Sequence, residues 1–247
     1  MTTASLGRIA RHDHRITAMS LVALTALAWL YLAVVMANDM NAAPWSALEF
    51  SLMFVMWAVM MVGMMTPSAG PMILMFARLT GESAPSGSTG LFVAGYLAVW
   101  SAFSLVATTL QWSLHEIGLL SPMMASANAV FGGLVCVAAG LYQWTLLKQS
   151  CLRHCQTPLS FLMTRWREGA GGAFRMGLAH GAFCVGCCWA LMALLFVGGV
   201  MNLLWVAALA GFVLVEKISL PGPWLPRLTG AALIAWGGSQ LVTTLLP

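Results

Sequence analysis

Charge is what this sequence has least of. Only 11 of its 247 residues are Lys or Arg and 7 are Asp or Glu, together 7% of the chain. Soluble domains carry about 25% charged residues, so most of this chain does not face water. The net charge of +4 is a poor basis for nucleic-acid binding. No P-loop, G-x-S-x-G elbow or dinucleotide fingerprint is present. Nucleotide-driven and ordinary hydrolase chemistry therefore have no support, and no catalytic residue is assigned. No repeat of 20–50 residues is visible, which argues against a solenoid or an inverted-repeat transporter.

What fills the chain instead is apolar. With 60% hydrophobic residues, it reads as an all-α, polytopic transmembrane helix bundle. A helix needs about 20 apolar residues to cross a bilayer. Seven segments qualify: Ile16–Ala37, Ala47–Thr66, Leu91–Gln111, Ala127–Leu147, Ala173–Phe196, Met201–Glu216 and Leu228–Leu246. The first exceeds the core of about 7–15 residues found in signal peptides and is read as a retained helix.

Seven spans place all 11 basic residues on the side of the N-terminus, from Arg8, Arg11 and Arg15 to Lys217 and Arg227. The opposite loops hold Asp39, Glu49, His115 and Glu116. Basic residues favour cytoplasmic loops, so the expected topology is N-in, C-out. Residues 1–15 form a basic cytoplasmic N-terminus, and 16–247 a single transmembrane domain with a cytoplasmic loop at 148–172. "GESAPSGSTG" (Gly81–Gly90) reads as a flexible connector.

Against this background the fifth segment is unusual. "HGAFCVGCCW" (His180–Trp189) puts an imidazole and three thiols into an apolar span. At 100° per residue, His180, Cys184, Cys187 and Cys188 fall at about 0°, 40°, −20° and 80°. They share one helix face near the middle of the span. Convergent thiolates and imidazole suit a soft metal ion, and an ionisable group inside a membrane is a functional candidate by default. Buried cysteines also serve as small hydrophobes, as Cys136 is expected to do. Gly177 and Gly181 precede the cluster in a G-x-x-x-G spacing that admits a close neighbouring helix.

The second segment supplies a partner. "SLMFVMWAVMMVGMMTPSAGPMILM" (Ser51–Met75) holds 8 of the chain's 18 Met. Met60, Met61, Met64 and Met65 lie on or beside one stripe. Thioethers bind Cu(I) without bringing an anion into lipid, although such a stripe also packs well. Pro67 and Pro71 are expected to break this helix after Met65. A third group, Cys151, His154 and Cys155 in "SCLRHC", lies in the cytoplasmic loop. A structural disulfide is not expected in that reducing compartment, and the group lacks the second ligand pair of a closed zinc site. Glu216 and Lys217 read as boundary charges, with a part in ion passage as the weaker reading.

These same residues carry a resemblance. "MWAVMMVGMMTPSAGP" (Met56–Pro71), "SCLRHCQTPLSFL" (Ser150–Leu162), "HGAFCVGCCWALM" (His180–Met192) and "GGVMNLLWVAALAGFVLVEK" (Gly198–Lys217) are similar to the predicted metal-binding integral membrane proteins. One member of that family is encoded beside a bacterial tyrosinase and is regarded as a membrane copper chaperone. The likeness runs from Ala47 to the C-terminus. It implies copper handling, a copper enzyme or chaperone as recipient, and a bacterial inner membrane.

The leading expectation is therefore a non-enzymatic membrane protein. It would hold Cu(I) between Met60, Met61, Met64 and Met65 and the set His180, Cys184, Cys187 and Cys188, with Cys151, His154 and Cys155 as further ligands. Zn(II) is the other ion such donors admit, but zinc sites rarely use Met. Two other classes remain open: a thiol–disulfide oxidoreductase using the Cys184–Cys187 pair, and a structural membrane subunit without metal. A homo-oligomer is compatible with all three.

Overall fold

The computed structural model describes residues 3–37, 46–80, 87–120, 126, 128–219, 222 and 224–245, and of residues 3–14 the backbone alone. Asp39, the side chains of Arg8 and Arg11, and residues 81–86 of the expected connector lie outside the described residues. The described residues form helices α1 (Thr3–Ala37), α2 (Ala47–Thr80), α3 (Ser88–Glu116), α4 (Ala129–Gln143), α5 (Leu146–Gln156), α6 (Pro158–Arg165), α7 (Gly169–Ala193), α8 (Leu195–Gly198), α9 (Leu203–Ile218) and α10 (Trp224–Leu245). One isolated antiparallel bridge joins Leu120 and Ser126.

Four helical stretches are long and apolar enough to cross a membrane: Arg15–Ala37, α2, α3 and Gly169–Gly198. The α4–α5 pair, bent by 66°, makes a fifth if it counts as one span. α9 has only 16 residues. α10 has the length, but Gly, Ser, Thr and Gln dilute it. The all-helical class and four or five candidate spans are thus established on length and composition.

Local chemistry sets several helix ends. Ser46 and Glu49 cap α2 reciprocally: the Ser46 N–H donates to Glu49 Oε2 (2.7 Å) and the Glu49 N–H to Ser46 Oγ (3.3 Å). This satisfies two backbone groups that a helix start leaves free. Asn128, Thr145 and Asn202 cap α4, α5 and α9 with side-chain oxygens. Pro158 sits in the first turn of α6, where its missing N–H costs nothing.

α2 does not break at its prolines. It runs unbroken through Pro67 and Pro71. Pro67 has no N–H for the Gly63 carbonyl four residues back. The Trp29 indole of α1 donates to that carbonyl instead, at 3.2 Å. A neighbouring helix thus supplies the lost bond, as membrane helices allow.

α2 is the centre of the bundle, packed on α1, α3 and α9. Its Met53, Met56, Met60, Met61, Met64 and Met65 are all buried. α3 packs along α7 where Gly95 meets the Phe174 carbonyl and Gly177 meets the Phe92 carbonyl. Neither position has room for a Cβ. The G-x-x-x-G spacing on α7 therefore seats α3 rather than the methionine helix. α4 and α10 form a second close pair.

The segment 148–172, expected as a polar loop, holds α5, α6 and the start of α7. The turn at Trp144 and Thr145 swings α5 back onto α7. Lys148, Cys151, Leu152 and Cys155 on α5, and Phe161 and Leu162 on α6, are buried by this return.

A candidate metal centre around the α7 thiols

The four residues singled out on α7 are turned inward. His180, Cys184, Cys187 and Cys188 are each at most 2% exposed. Helical spacing alone puts them on one face, and packing on α2, α3, α5 and α9 buries that face. All six cysteines of the chain are free thiols.

The cluster is knit from several helices. α5 delivers Cys155, whose Sγ lies 4.0 Å from Cys187 Sγ. It also delivers Cys151, packed so tightly on α7 that a Cβ at Gly186 would sit 2.8 Å from its Sγ. α2 contributes Met65, whose Sδ lies 4.0 Å from Cys188 Sγ. Met60, Met61 and Met64 are buried in the same core. His154 takes another course. Its ring stacks on Phe183 at 4.2 Å and its Nδ1 lies 2.9 Å from the Ser150 carbonyl.

Two residues outside the expected set, Lys217 and Tyr96, touch the thiols, and a third, Ser68, holds Lys217. Lys217 of α9 donates from Nζ to Cys184 Sγ (2.8 Å) and to Ser68 Oγ of α2 (2.9 Å). Tyr96 of α3 brings its hydroxyl within 3.1 Å of Cys184 Sγ and 3.2 Å of the Met65 carbonyl. Lys217, read from sequence as a boundary charge, is only 5% exposed. A Lys at the end of an apolar run was the available signal. Tyr96 and Ser68 gave none, because an uncharged residue in an apolar helix does not declare its neighbour.

A buried charge pair braces the cluster. Lys148 Nζ donates to Glu216 Oε2 at 2.7 Å, with both side chains shielded from solvent. This ties α5 to α9. Lys148 and Lys217 are therefore interior groups, and the one-sided distribution of positive charge rests on the remaining arginines.

The thiols are held in a closed arrangement. Cys187 and Cys188 both donate to the Cys184 carbonyl, at 3.1 and 3.0 Å, while Lys217 contacts the Cys184 sulfur. Among the described residues, no three His, Cys, Asp or Glu side chains already converge as a metal-ligand set. His180 is the exception to this internal pairing. It is flanked by Tyr96, Phe92 and Phe161, with ring centroids 5.5–6.1 Å away. Its buried Nδ1 has no hydrogen-bond partner. Such a nitrogen in a native core calls for an explanation, and a neutral imidazole nitrogen is a metal donor. Soft sulfurs and one unengaged imidazole nitrogen suit Cu(I) once the thiols rotate.

A family model described as "PpoB2: Copper chaperone" matches residues 54–240. That range contains all of the thiol cluster, the methionine helix from Phe54 onward, Lys148, Glu216 and Lys217. No curated protein and no solved structure matches the chain.

Proposed function

The chain belongs to the PpoB2 copper chaperone family, and on that premise we propose that it holds Cu(I) inside the membrane and passes it to a copper enzyme or soluble chaperone. Cys184, Cys187 and Cys188 form the centre of the site, with Cys155 and His180 beside them. Met65 is the nearest thioether, and Met60, Met61 and Met64 extend a path of soft donors along α2. Cys151 supports this core from α5. His154 would take part at the surface end.

One observation carries the reading: three helices bring Cys155 to Cys187 and Met65 to Cys188, beside a Cys184 that holds the buried Lys217 ammonium. A Cu(I) ion between two thiolates carries one net negative charge, which is costly to bury alone. Lys217 cancels it. The Lys148–Glu216 pair is neutral by itself and leaves Lys217 free for this task. Rotation of Cys187 and Cys188 about one side-chain bond exchanges their shared carbonyl partner for the metal. Such an arrangement binds firmly yet yields its cargo to another soft donor.

The proposal extends to placement. Seven spans, N-in and C-out, in a bacterial inner membrane put the basic end of the bundle in the cytoplasm. In that arrangement α9 and α10 complete the bundle beside the longer spans.

The decisive experiment is competition with a coloured Cu(I) chelator on reduced, detergent-purified protein. Wild type is compared with Cys184→Ser/Cys187→Ser/Cys188→Ser and with Met60, Met61, Met64 and Met65 all changed to Leu. Tight copper that is lost in the first variant and weakened in the second is expected. No tight copper in the wild type defeats the proposal. Function that depends on cysteines without copper or methionines would favour thiol–disulfide exchange instead.

A further inference from the structure

We propose that the basic cavity beside α6 and the start of α7 binds one anionic phospholipid, with its phosphate among Arg165, Arg167 and Arg175 and an acyl chain in the apolar groove next to Trp166. This goes beyond copper handling. It rests on the chain residing in a bilayer and not on the metal site.

The cavity has a volume of about 950 Å³, and its wall includes His154, Thr164, Arg165, Trp166, Arg167 and Arg175. The three arginines are exposed. Among the described residues none of them has a carboxylate within ion-pair distance. Three guanidinium groups around one concavity repel each other, and an anion between them relieves that field. Arginine is also the side chain best shaped to grip a phosphate through two parallel N–H bonds. Part of the wall is braced on Phe183. The Arg165 guanidinium lies 5.0 Å from the centre of the Phe183 ring, on which His154 also stacks.

A second, apolar cavity of about 260 Å³ shares Trp166 with the first. It is lined by Leu79, Leu162, Met163 and Trp166. Met163 is 73% exposed and Leu79 48%. A small soluble anion has no use for that groove. An amphiphile with a phosphate at one end and hydrocarbon at the other fits both halves. Basic pockets between membrane helices on the cytoplasmic side are suited to anionic headgroups, and Trp favours the interfacial level.

The test is native mass spectrometry of the full-length protein in detergent, titrated with phosphatidylglycerol, with phosphatidylcholine of the same chain lengths, and with glycerol phosphate. One phosphatidylglycerol per protein is expected, preferred about a hundredfold over phosphatidylcholine if each arginine contributes as a typical surface cation. Arg165→Gln/Arg167→Gln/Arg175→Gln should erase the preference while leaving helicity and copper binding intact. Met163→Asp should weaken phosphatidylglycerol about fivefold or more and leave glycerol phosphate binding unchanged. Equal binding of the two lipids would overturn the proposal, as would a triple variant that keeps the preference. Glycerol phosphate binding as tightly as the lipid would mean a soluble-anion site and would equally refute it. Should the triple variant misfold, Arg175→Gln alone must still reduce the preference.

Discussion

Cys136 and Cys184 are equally hidden, at 2% and 0% exposure, but their surroundings have little in common. Cys136 sits on α4 against α10, in a seam where Gly133 faces Gly237 and Gly140 faces Gly230. Backbone meets backbone there. Cys184 lies among a lysine, a tyrosine and further sulfurs drawn from α2, α3, α5, α7 and α9. A buried thiol becomes a candidate ligand through its neighbours. In the glycine seam it fills space between close-packed helices; beside Lys217 it has a cationic hydrogen-bond donor and exchangeable partners.

The comparison can be broken most directly with copper. Replacing Cys184, Cys187 and Cys188 by Ser should abolish tight Cu(I), and Cys136→Ala should leave it unchanged in the same chelator competition. Equal effects would erase the distinction. The next largest effect concerns the brace. Glu216→Gln leaves the Lys148 ammonium buried without its counter-ion and should destabilise the protein by about 3–5 kcal/mol. Unfolding in detergent measures this, and Lys148→Met combined with Glu216→Leu should recover most of the loss. A full-sized loss in that double variant would show that the charges do more than neutralise each other.

Lys217→Met should weaken Cu(I) by about 10–100-fold, the range typical of groups that support a metal ligand. Lys217→Arg should retain more affinity, because it keeps the charge. If both variants bind copper as the wild type does, Lys217 is not the counter-ion. On the other side of the comparison, a Cβ at Gly237 would sit 2.6 Å from the Gly133 carbonyl and 2.9 Å from Cys136 Cβ. Gly237→Ala should therefore cost about 1–3 kcal/mol of stability through overpacking, with copper affinity of the folded protein unmoved. The smallest expected change is Met65→Leu, which should weaken copper less than loss of Lys217. Met53→Leu, at a sulfur that accepts from Gln111, should not weaken it. Reversal of these two would move the thioether end of the site along α2.

Much of the candidate site was legible because helical periodicity needs no tertiary information. His180, Cys184, Cys187 and Cys188 had to share a face if their segment was a helix, and an apolar bilayer span had to be one. The methionines were legible as a stripe for the same reason. The proline expectation failed for a reason that lies elsewhere in the chain: whether Pro67 breaks α2 depends on Trp29, which is 38 positions earlier and satisfies the exposed carbonyl. The segment 148–172 looked polar by composition. Its polar residues are spaced so that Lys148, Cys151, Leu152 and Cys155 can turn inward while Arg153 stays out.

Sequence by itself determined that this chain is helical and apolar, that its thiols and thioethers gather on defined faces, and where α2 starts. Those properties depend on residues within a turn or two of each other, where geometry is fixed by the backbone. Tertiary structure decided that α3, not α2, nests on the glycines of α7, and that α5 folds back to bring Cys155 to Cys187. It also decided that Lys217 meets Cys184 while Glu216 takes Lys148. These are contacts between residues 32–88 positions apart. Only close packing in three dimensions, with each buried charge seeking its nearest partner, selects them.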